Sequence, residues 1–353
     1  MLLNDRINAF IELGNFINQF KTTGNKKVRS VLYNDDFFDE MSHRITSAVH
    51  YNGWFTEENV LFSLNEWSDA LKKERLNQWI SSYSLKETSP KTVGVIMAGN
   101  IPLVGFHDFL SVLIAGHKIM IKQSSDDNQL LPFLVAYLIK VEPRFEKYIS
   151  FTNEKFEHFD AIIATGSDNT ARYFEYYFGS VPNIIRKNRN SVAVLNGNES
   201  SEQLNALGQD IFRYYGLGCR NVSKLLIPKA YNFDNFFKAI YDYNTIINSA
   251  KYANNYDYNK AVYLMSNYKL FENGFLMLKE DQSYSSPIAT LFYETYDSKT
   301  DLEKKLEADQ EKIQCIVAND FLPEAVDFGQ TQSPKLSDYA DGIDIIEFLI
   351  KIS

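Results

Sequence analysis

The sequence is poor in cysteine, with only Cys219 and Cys315 among its 353 residues. Two cysteines give no disulfide framework, and the first 21 residues carry Asp, Glu and Asn in an amphipathic pattern where a secretion signal would have an apolar run. The five histidines and two cysteines also show no metal-ligand spacing. We therefore expect a reducing, cytoplasmic setting and no metal site.

Basic clusters and long apolar runs are missing as well. The net charge is -9 and no long Lys/Arg cluster occurs, so the electrostatic footprint of a nucleic-acid-binding protein is absent. No uninterrupted apolar stretch approaches the length of a membrane span. The sequence does contain 45% hydrophobic residues over 353 positions, which is enough for two domains with sizeable cores.

The spacing of apolar residues changes along the chain. Over residues 2–84 they recur with helical spacing, which predicts a helical lead-in. From residue 92 onwards, short apolar strands alternate with helices up to residue 318. Such repeats predict an α/β fold with doubly wound parallel sheets, in which ligands bind at the carboxyl ends of strands. The final apolar run, residues 343–352, is interpreted as a strand.

Three polar turns follow predicted strands. They contain Gly99, Asn100 and Pro102 in the first turn, Lys122 and Ser124 in the second, and Gly166 and Ser167 in the third. Each turn alone is ordinary, because residues 124–127 have the composition of a helix N-cap and a Gly-Ser pair after a strand commonly caps a helix. A lysine at a strand end is commonly solvated.

Cys219 lies in a glycine-flanked turn between a predicted helix and a predicted strand; residues 214–224 read Tyr-Tyr-Gly-Leu-Gly-Cys-Arg-Asn-Val-Ser-Lys. Gly216 and Gly218 permit positive φ and leave room for a substrate carbonyl to approach the sulfur. Cysteine is also a common buried apolar residue, and Cys315, inside an apolar strand, is interpreted in that way. The turn alone leaves both interpretations of Cys219 open.

In this order, the three turns and Cys219 resemble the aldehyde dehydrogenase superfamily and, within it, the bacterial acyl-CoA reductases related to the fatty-acid reductase of luminescence systems. The similarity runs from residue 93 to residue 342. It implies two Rossmann-like α/β domains behind the helical lead-in. It also implies site roles: Cys219 as nucleophile, Asn100 as oxyanion donor, Lys122 and Ser124 at the cofactor ribose, and Gly166 and Ser167 at its pyrophosphate.

Departures from the superfamily pattern favour reduction. Acid-forming members carry a Glu-Leu-Gly-Gly-Lys segment whose Glu activates water, whereas the corresponding region here begins at Arg186 and reads Arg-Lys-Asn-Arg-Asn-Ser. The Glu-x-Phe-Gly-Pro motif is replaced by Ser-Tyr-Ser-Ser-Pro at residues 283–287. Without a general base, water competes poorly for an acyl-enzyme. Ser125 replaces the ribose-binding Glu, which removes a carboxylate that would repel a 2′-phosphate.

The resemblance therefore implies reduction of a long-chain fatty acyl-CoA to the fatty aldehyde through a covalent acyl-cysteine, with NADPH as cofactor and NADH as the alternative. Two other functions stay open: an aldehyde dehydrogenase that forms acid, and a non-catalytic acyl-binding subunit of an acyl-transfer complex. The expected partners are fatty acyl-CoA or an acylated protein, and either a second copy of the chain or an acyl-transferase or synthetase. Nucleic acid and a membrane span are not expected.

The domain assignment follows the same resemblance. Residues 1–190 are assigned to the lead-in and the cofactor-binding domain, and residues 191–326 to a catalytic domain that carries the nucleophile. Residues 327–353 are assigned to a C-terminal segment that serves as a return strand or an oligomerisation arm. Arg220, next to the nucleophile, either activates the thiol or binds an anion, or is a structural charge.

Overall fold

The structure is a computed structural model that describes residues 1–87, 89–319, 321–322 and 325–353. Its contacts divide the chain into two compact units, Met1–Lys187 with Lys335–Ser353, and Asn188–Pro334. The functional roles assigned from the sequence to the three segments stay predictions. Among the described residues, no helix is long and apolar enough to cross a bilayer.

The first unit begins with the helical lead-in that the apolar spacing predicts. Its helices are α1 (Leu3–Ile17), α2 (Asn34–Tyr51), α3 (Glu57–Ala70) and α4 (Lys73–Ile80). On α1, Phe10, Leu13 and Ile17 are fully buried at helical spacing, so one face of the helix packs into the core.

The first unit continues with a parallel sheet and its crossover helices. These are β1 (Thr92–Ile96), α5 (Phe106–Ala115), β2 (Lys118–Lys122), α6 (Leu130–Val141), β3 (Ile149–Phe151), β4 (Ala161–Thr165), α7 (Asp168–Phe178) and β5 (Asn183–Arg186). The strand order is β3-β2-β1-β4-β5, and every neighbouring pair is parallel. From β1 the chain winds outward through β2 to β3, and it then crosses to the other side of β1 to form β4 and β5. This path confirms the predicted doubly wound arrangement.

The second unit contains its own sheet. Its elements are β6 (Asn190–Val194), α8 (Ser201–Phe212), β7 (Val222–Pro228), α9 (Phe233–Ala239), α10 (Ala250–Met265), β8 (Leu270–Glu272), β9 (Met277–Glu280), β10 (Thr290–Tyr296), α11 (Lys299–Ala308) and β11 (Ile313–Val317). The order is β11-β6-β7-β10-β9-β8, parallel except between β8 and β9. The short strands β8 and β9 have no counterpart among the predicted elements.

Both faces of this second sheet are covered by apolar side chains. Along β6, Val192 and Val194 pack into one hydrophobic cluster, whereas Ala193 packs into another cluster on the opposite face. Because successive residues of a strand point to opposite faces, this alternation explains why the strand reads as an almost continuous apolar run. Cys315, on β11, is 7% exposed and is therefore the core residue that its surroundings predict.

The C-terminal segment corrects a prediction. The strand predicted over residues 343–352 is wrong, because the segment forms helix α12 (Ile345–Lys351). Asp344 caps this helix by accepting a backbone N–H of the first turn at 2.9 Å. Ile345 and Leu349, one turn apart, are fully buried in the core of the first unit. A short continuous apolar run fits a buried strand or a buried helix equally well, so its periodicity did not distinguish them.

His117 ties α12 to the first sheet. Its Nδ1 accepts the backbone N–H of Lys91 at 3.2 Å, and its Nε2 lies 3.0 Å from the carbonyl of Leu349. The ring is fully buried, and burial lowers its pKa. A neutral ring with the proton on Nε2 satisfies both contacts, because Nδ1 can accept only when it carries no proton.

The predicted helix N-cap at residues 124–127 is also wrong, since α6 begins at Leu130. Instead, the Ser124 hydroxyl accepts the backbone N–H of Asp126 at 3.2 Å and closes a local turn. The Asp127 carboxylate accepts the backbone N–H of Leu103, 24 residues earlier in the chain. These polar side chains therefore serve a turn and a tertiary contact, which local sequence signals cannot separate from a cap.

Candidate active site

The first unit collects the predicted cofactor and oxyanion residues at one edge of its sheet. Asn100 follows β1, Lys122 and Ser124 follow β2, and Gly166 and Ser167 follow β4. Because β1 lies between β2 and β4 and the strands are parallel, the three turns share the carboxyl edge. The winding reverses between β1 and β4, and doubly wound sheets bind their ligands at such a switch point.

The turn after β1, residues 99–103, is clamped from two sides, and it is named the oxyanion turn after the role predicted for Asn100. From α3, the Ser63 hydroxyl donates to the Pro102 carbonyl at 2.9 Å. From the turn after β2, the Asp127 Oδ2 accepts the Leu103 N–H at 2.8 Å. Leu103 has a φ of 58°, which is uncommon outside glycine and costs about 1 kcal/mol or more. Asn100 itself is exposed at the tip of the turn.

Gly99 lets the oxyanion turn approach the turn after β2. A Cβ at Gly99 would lie 2.6 Å from both the Cβ and the Oγ of Ser124, so no larger residue fits without displacing that turn. The Lys122 Nζ donates to the Glu154 carbonyl at 3.3 Å, which holds the lysine side chain along the same edge. The oxyanion turn and the predicted ribose-binding turn therefore form one packed structure.

The third turn has the geometry of a helix N-terminus. The Ser167 hydroxyl accepts the Thr170 N–H at 3.3 Å and so caps α7. Gly166 packs against the Thr170 side chain, which a Cβ would approach to 3.0 Å. The backbone N–H groups of a helix N-terminus are a suitable site for an anion, although Asp168 in the first turn of α7 adds a negative charge there.

In the second unit, Cys219 is exposed on a turn with unusual backbone conformation. Tyr214, Tyr215 and Gly216 have φ values of 55°, 58° and 76°, so three consecutive residues lie in the left-handed region. Each of the two tyrosines costs about 1 kcal/mol or more in this conformation. Such strain persists only where surrounding contacts fix the backbone, and it is concentrated at functional sites.

Asn221 supplies those contacts. Its Oδ1 accepts the Gly218 N–H at 2.8 Å, and its Nδ2 donates to the carbonyls of Asp210 and Arg213 at 2.9 and 2.8 Å. The side chain is 2% exposed. Asn221 therefore joins the C-terminal end of α8 to the residue immediately before Cys219. The sequence alone does not indicate this role, although Asn221 lies in the same glycine-flanked turn as Cys219.

Asp210 extends the network to a loop of the same unit. Its fully buried carboxylate accepts the Gly329 N–H at 2.6 Å and both the N–H and the hydroxyl of Thr331 at 2.9 and 2.8 Å. Burial raises the pKa of this carboxyl, while these hydrogen bonds and nearby Arg220 act in the opposite direction. The Arg220 Nε donates to the Thr331 carbonyl at 2.6 Å, which gives this arginine a structural contact.

Arg186 stands where the superfamily pattern leads one to look for a water-activating Glu. At the end of β5, its Nη1 and Nη2 donate to the two carboxylate oxygens of Asp108 on α5 at 2.8 and 2.9 Å. Both side chains are buried. Since α5 begins just after the oxyanion turn, this bidentate pair anchors the helix that follows Asn100. Position 186 therefore holds a cation that is paired with a carboxylate.

Comparison with solved structures places the fold among the aldehyde dehydrogenases. Indole-3-acetaldehyde dehydrogenase AldA of P. syringae, solved with NAD⁺ and IAA, superposes with a TM-score of 0.61 at 10% identity, covering 90% of this chain and 72% of that one. Aldehyde dehydrogenase 21 of Physcomitrella patens, solved with succinate, gives 0.62 at 12% identity over 90% and 73%. A Mycobacterium tuberculosis aldehyde dehydrogenase complexed with NAD⁺ gives 0.55 at 15% identity over 88% and 73%.

The sequence itself identifies the family within that fold. The profile of the acyl-CoA reductase (LuxC) family matches residues 57–239, which is more than half of the chain, and the chain therefore belongs to this family. It is accordingly an aldehyde-related oxidoreductase, as the resemblance implied. No curated protein sequence matches the chain at a significant level.

Proposed function

We propose that the chain reduces a long-chain fatty acyl-CoA thioester to the fatty aldehyde with NADPH, through an acyl group carried on Cys219. The observation that carries the proposal is the exposed Cys219 thiol, held by Asn221 on a strained turn in a member of the acyl-CoA reductase family. Cys315, buried in β11, has no comparable access to substrate.

The first step forms the acyl-enzyme. The Cys219 thiolate attacks the thioester carbonyl, and the Asn100 side-chain amide together with the Cys219 N–H donates to the developing oxyanion. One such donor is worth about 3 kcal/mol in the transition state. Collapse of the oxyanion breaks the bond to CoA, whose thiolate leaves and takes up a proton from solvent, and the acyl group stays on the Cys219 sulfur.

The sheet edge of the first unit fits a nicotinamide cofactor. The switch point, the Lys122 and Ser124 turn and the capped N-terminus of α7 supply a crevice, polar side chains and backbone N–H donors for a dinucleotide. When bound at this edge, a reduced nicotinamide would supply hydride for reduction of the acyl group. Two of the structurally similar dehydrogenases were solved with NAD⁺. Exposed Ser125, in place of an acidic ribose ligand, favours admission of the 2′-phosphate of NADPH.

The chain's own groups complete the turnover. After reduction, Asn100 and the Cys219 N–H again hold an oxyanion, now on a tetrahedral thiohemiacetal carbon. Its collapse forms the aldehyde carbonyl, breaks the carbon–sulfur bond and returns the Cys219 thiolate. The balance is acyl-CoA, NADPH and one proton in, and aldehyde, CoA and NADP⁺ out. The Arg186–Asp108 pair supports reduction over hydrolysis, because it fills the expected base position with a paired cation.

The experiment mixes the purified protein with acyl-CoA of increasing chain length and NADPH. We expect oxidation of NADPH, followed by absorbance, and aldehyde as the product identified by mass spectrometry. Cys219→Ala should abolish both signals, whereas Cys315→Ala serves as the matched control and should retain them. Free fatty acid as the main product would point to an acid-forming dehydrogenase. No NADPH or NADH oxidation with any chain length would refute the reductase proposal.

A further inference from the structure

Asp127 is a buried carboxylate to which the mechanism above gives no role. It lies in the turn after β2, is 8% exposed, and uses Oδ2 to accept the Leu103 N–H at 2.8 Å. Its other oxygen, Oδ1, is buried and has no hydrogen-bond partner among the residues that the structure describes. Burial raises its pKa to about 7, although the Leu103 N–H acts in the opposite direction. Keeping such a group buried is unfavourable, which calls for an explanation beyond packing.

The contact that Asp127 makes is directed at the oxyanion turn. Leu103 is the strained residue of that turn, with a φ of 58°, and its N–H is the group that the carboxylate holds. Leu103 is three residues from Asn100, and its carbonyl accepts the Phe106 N–H at 3.0 Å at the start of α5. The hydrogen bond from Asp127 therefore fixes the point at which the chain turns from the oxyanion donor into the helix.

The same turn is continuous with the predicted ribose site. Asp127 is three residues from Ser124, whose side chain packs against Gly99, and the Asp127 carbonyl accepts the Gln123 side-chain amide at 2.9 Å. Motion of the ribose-binding turn would therefore be transmitted to the oxyanion turn through both the Gly99 packing and the Leu103 hydrogen bond. The neighbouring Asp126, by contrast, is exposed.

We infer that Asp127 is a positioning residue, which holds Asn100 in place for acyl transfer by fixing the left-handed Leu103 of the oxyanion turn. The inference rests on the proposed function, because it acts through the oxyanion role of Asn100. It assigns the turn after β2 two tasks, cofactor binding through Lys122 and Ser124 and support of the oxyanion turn through Asp127.

The test measures the single-turnover rate of acyl transfer to Cys219, by rapid quench with acyl-labelled acyl-CoA and no cofactor. Asp127→Ala should slow acylation by about tenfold to 100-fold, because a small displacement of a catalytic donor has an effect of that size. Asp127→Asn retains an oxygen acceptor for Leu103 and should stay within about threefold of the unchanged protein. Asp126→Ala is the matched control and should leave the rate unchanged.

A double-mutant cycle distinguishes positioning from a general structural role. In an Asn100→Ala background, Asp127→Ala should slow acylation by less than about threefold, because the donor that it positions is already gone. A full additional loss in that background would overturn the inference, as would equal losses in Asp127→Ala and Asp127→Asn. If Asn100→Ala alone leaves acylation unchanged, the oxyanion role fails and the inference fails with it. Unchanged acylation in Asp127→Ala, with a clear loss in Asn100→Ala, would overturn this inference alone.

Discussion

Replacing Asn221 by alanine tests how the turn around Cys219 is held. The substitution deletes three side-chain hydrogen bonds, one from the Gly218 N–H and two to the carbonyls of Asp210 and Arg213. All three lie at a side chain that is 2% exposed, so water cannot readily replace them. The strained left-handed backbone before Cys219 would then lose its main support.

The size of the effect follows from these contacts. A buried hydrogen bond contributes about 1 kcal/mol net, so three of them give a loss of about 3 kcal/mol in the free energy of unfolding. Displacement of the nucleophile by about 1 Å has an effect of about 100-fold on the rate of the chemical step. Asn221→Ala should therefore lower the acylation rate of Cys219 by about 100-fold, beyond any loss of folded protein.

The assay combines urea denaturation with single-turnover acylation on the same preparations. Asn205→Ala is a suitable control, because Asn205 lies on α8 and its Nδ2 donates to the Ala239 carbonyl at 2.9 Å and to Asp242 at 3.1 Å, in a half-buried position. The control should lose some stability and keep its acylation rate. Unchanged acylation in Asn221→Ala, or an equal loss in Asn205→Ala, would show that Asn221 does not hold the Cys219 turn in its reactive conformation.

Further predictions concern buried charges in the first unit. Arg186→Ala leaves the Asp108 carboxylate buried without its guanidinium and should lower the free energy of unfolding by about 3–5 kcal/mol in urea denaturation. Because burial lowers the pKa of His117 from its ordinary 6.5, the contribution of His117 to stability should be complete above pH 6.5 and be lost below it, so that stability falls less steeply on acidification in His117→Gln. Burial raises the pKa of Asp127 to about 7, so stability should fall as pH rises towards 7, and Asp127→Asn should be the more stable protein above that pH.

Each of these predictions has a contradicting outcome. The surface pair of Lys187 with Glu175 provides the control for Arg186, since Lys187→Ala removes an exposed ion pair and should leave the denaturation midpoint unchanged. Equal destabilisation by both substitutions would argue against a special role for the buried pair. Parallel stability curves for the unchanged protein and either the His117 or the Asp127 variant, from pH 4 to pH 8, would contradict the corresponding pKa shift.

Sequence periodicity predicted the elements that position the site. Strands β1, β2 and β4 are apolar runs bounded by turns, and their parallel arrangement places the turns with Asn100, Lys122 and Ser167 at one edge of the first sheet. The C-terminal helix α12 was mistaken for a strand, because a short run of buried apolar residues has no distinctive period. The spacing of apolar residues therefore predicts the fold class, but it does not show whether the buried C-terminal segment is a helix or a strand.

The contacts that support the site could not be predicted from short-range sequence patterns. Asp127 bonds Leu103 across 24 positions and Asp108 pairs with Arg186 across 78, and no spacing rule joins residues so far apart. Asn221 lies in the turn that contains Cys219, but an asparagine in a turn is equally often a solvated residue. What decides its role is burial, which a single sequence does not display.

The identity of the acylated residue tests the role of Cys219 most directly. The protein is mixed with a long-chain acyl-CoA without cofactor, digested under conditions that keep thioesters, and analysed by mass spectrometry. We expect an added acyl mass on the peptide that contains Cys219, and this mass should disappear on addition of NADPH as fatty aldehyde forms. An acyl group on Cys315, or no acylated peptide while aldehyde still forms, would contradict this role.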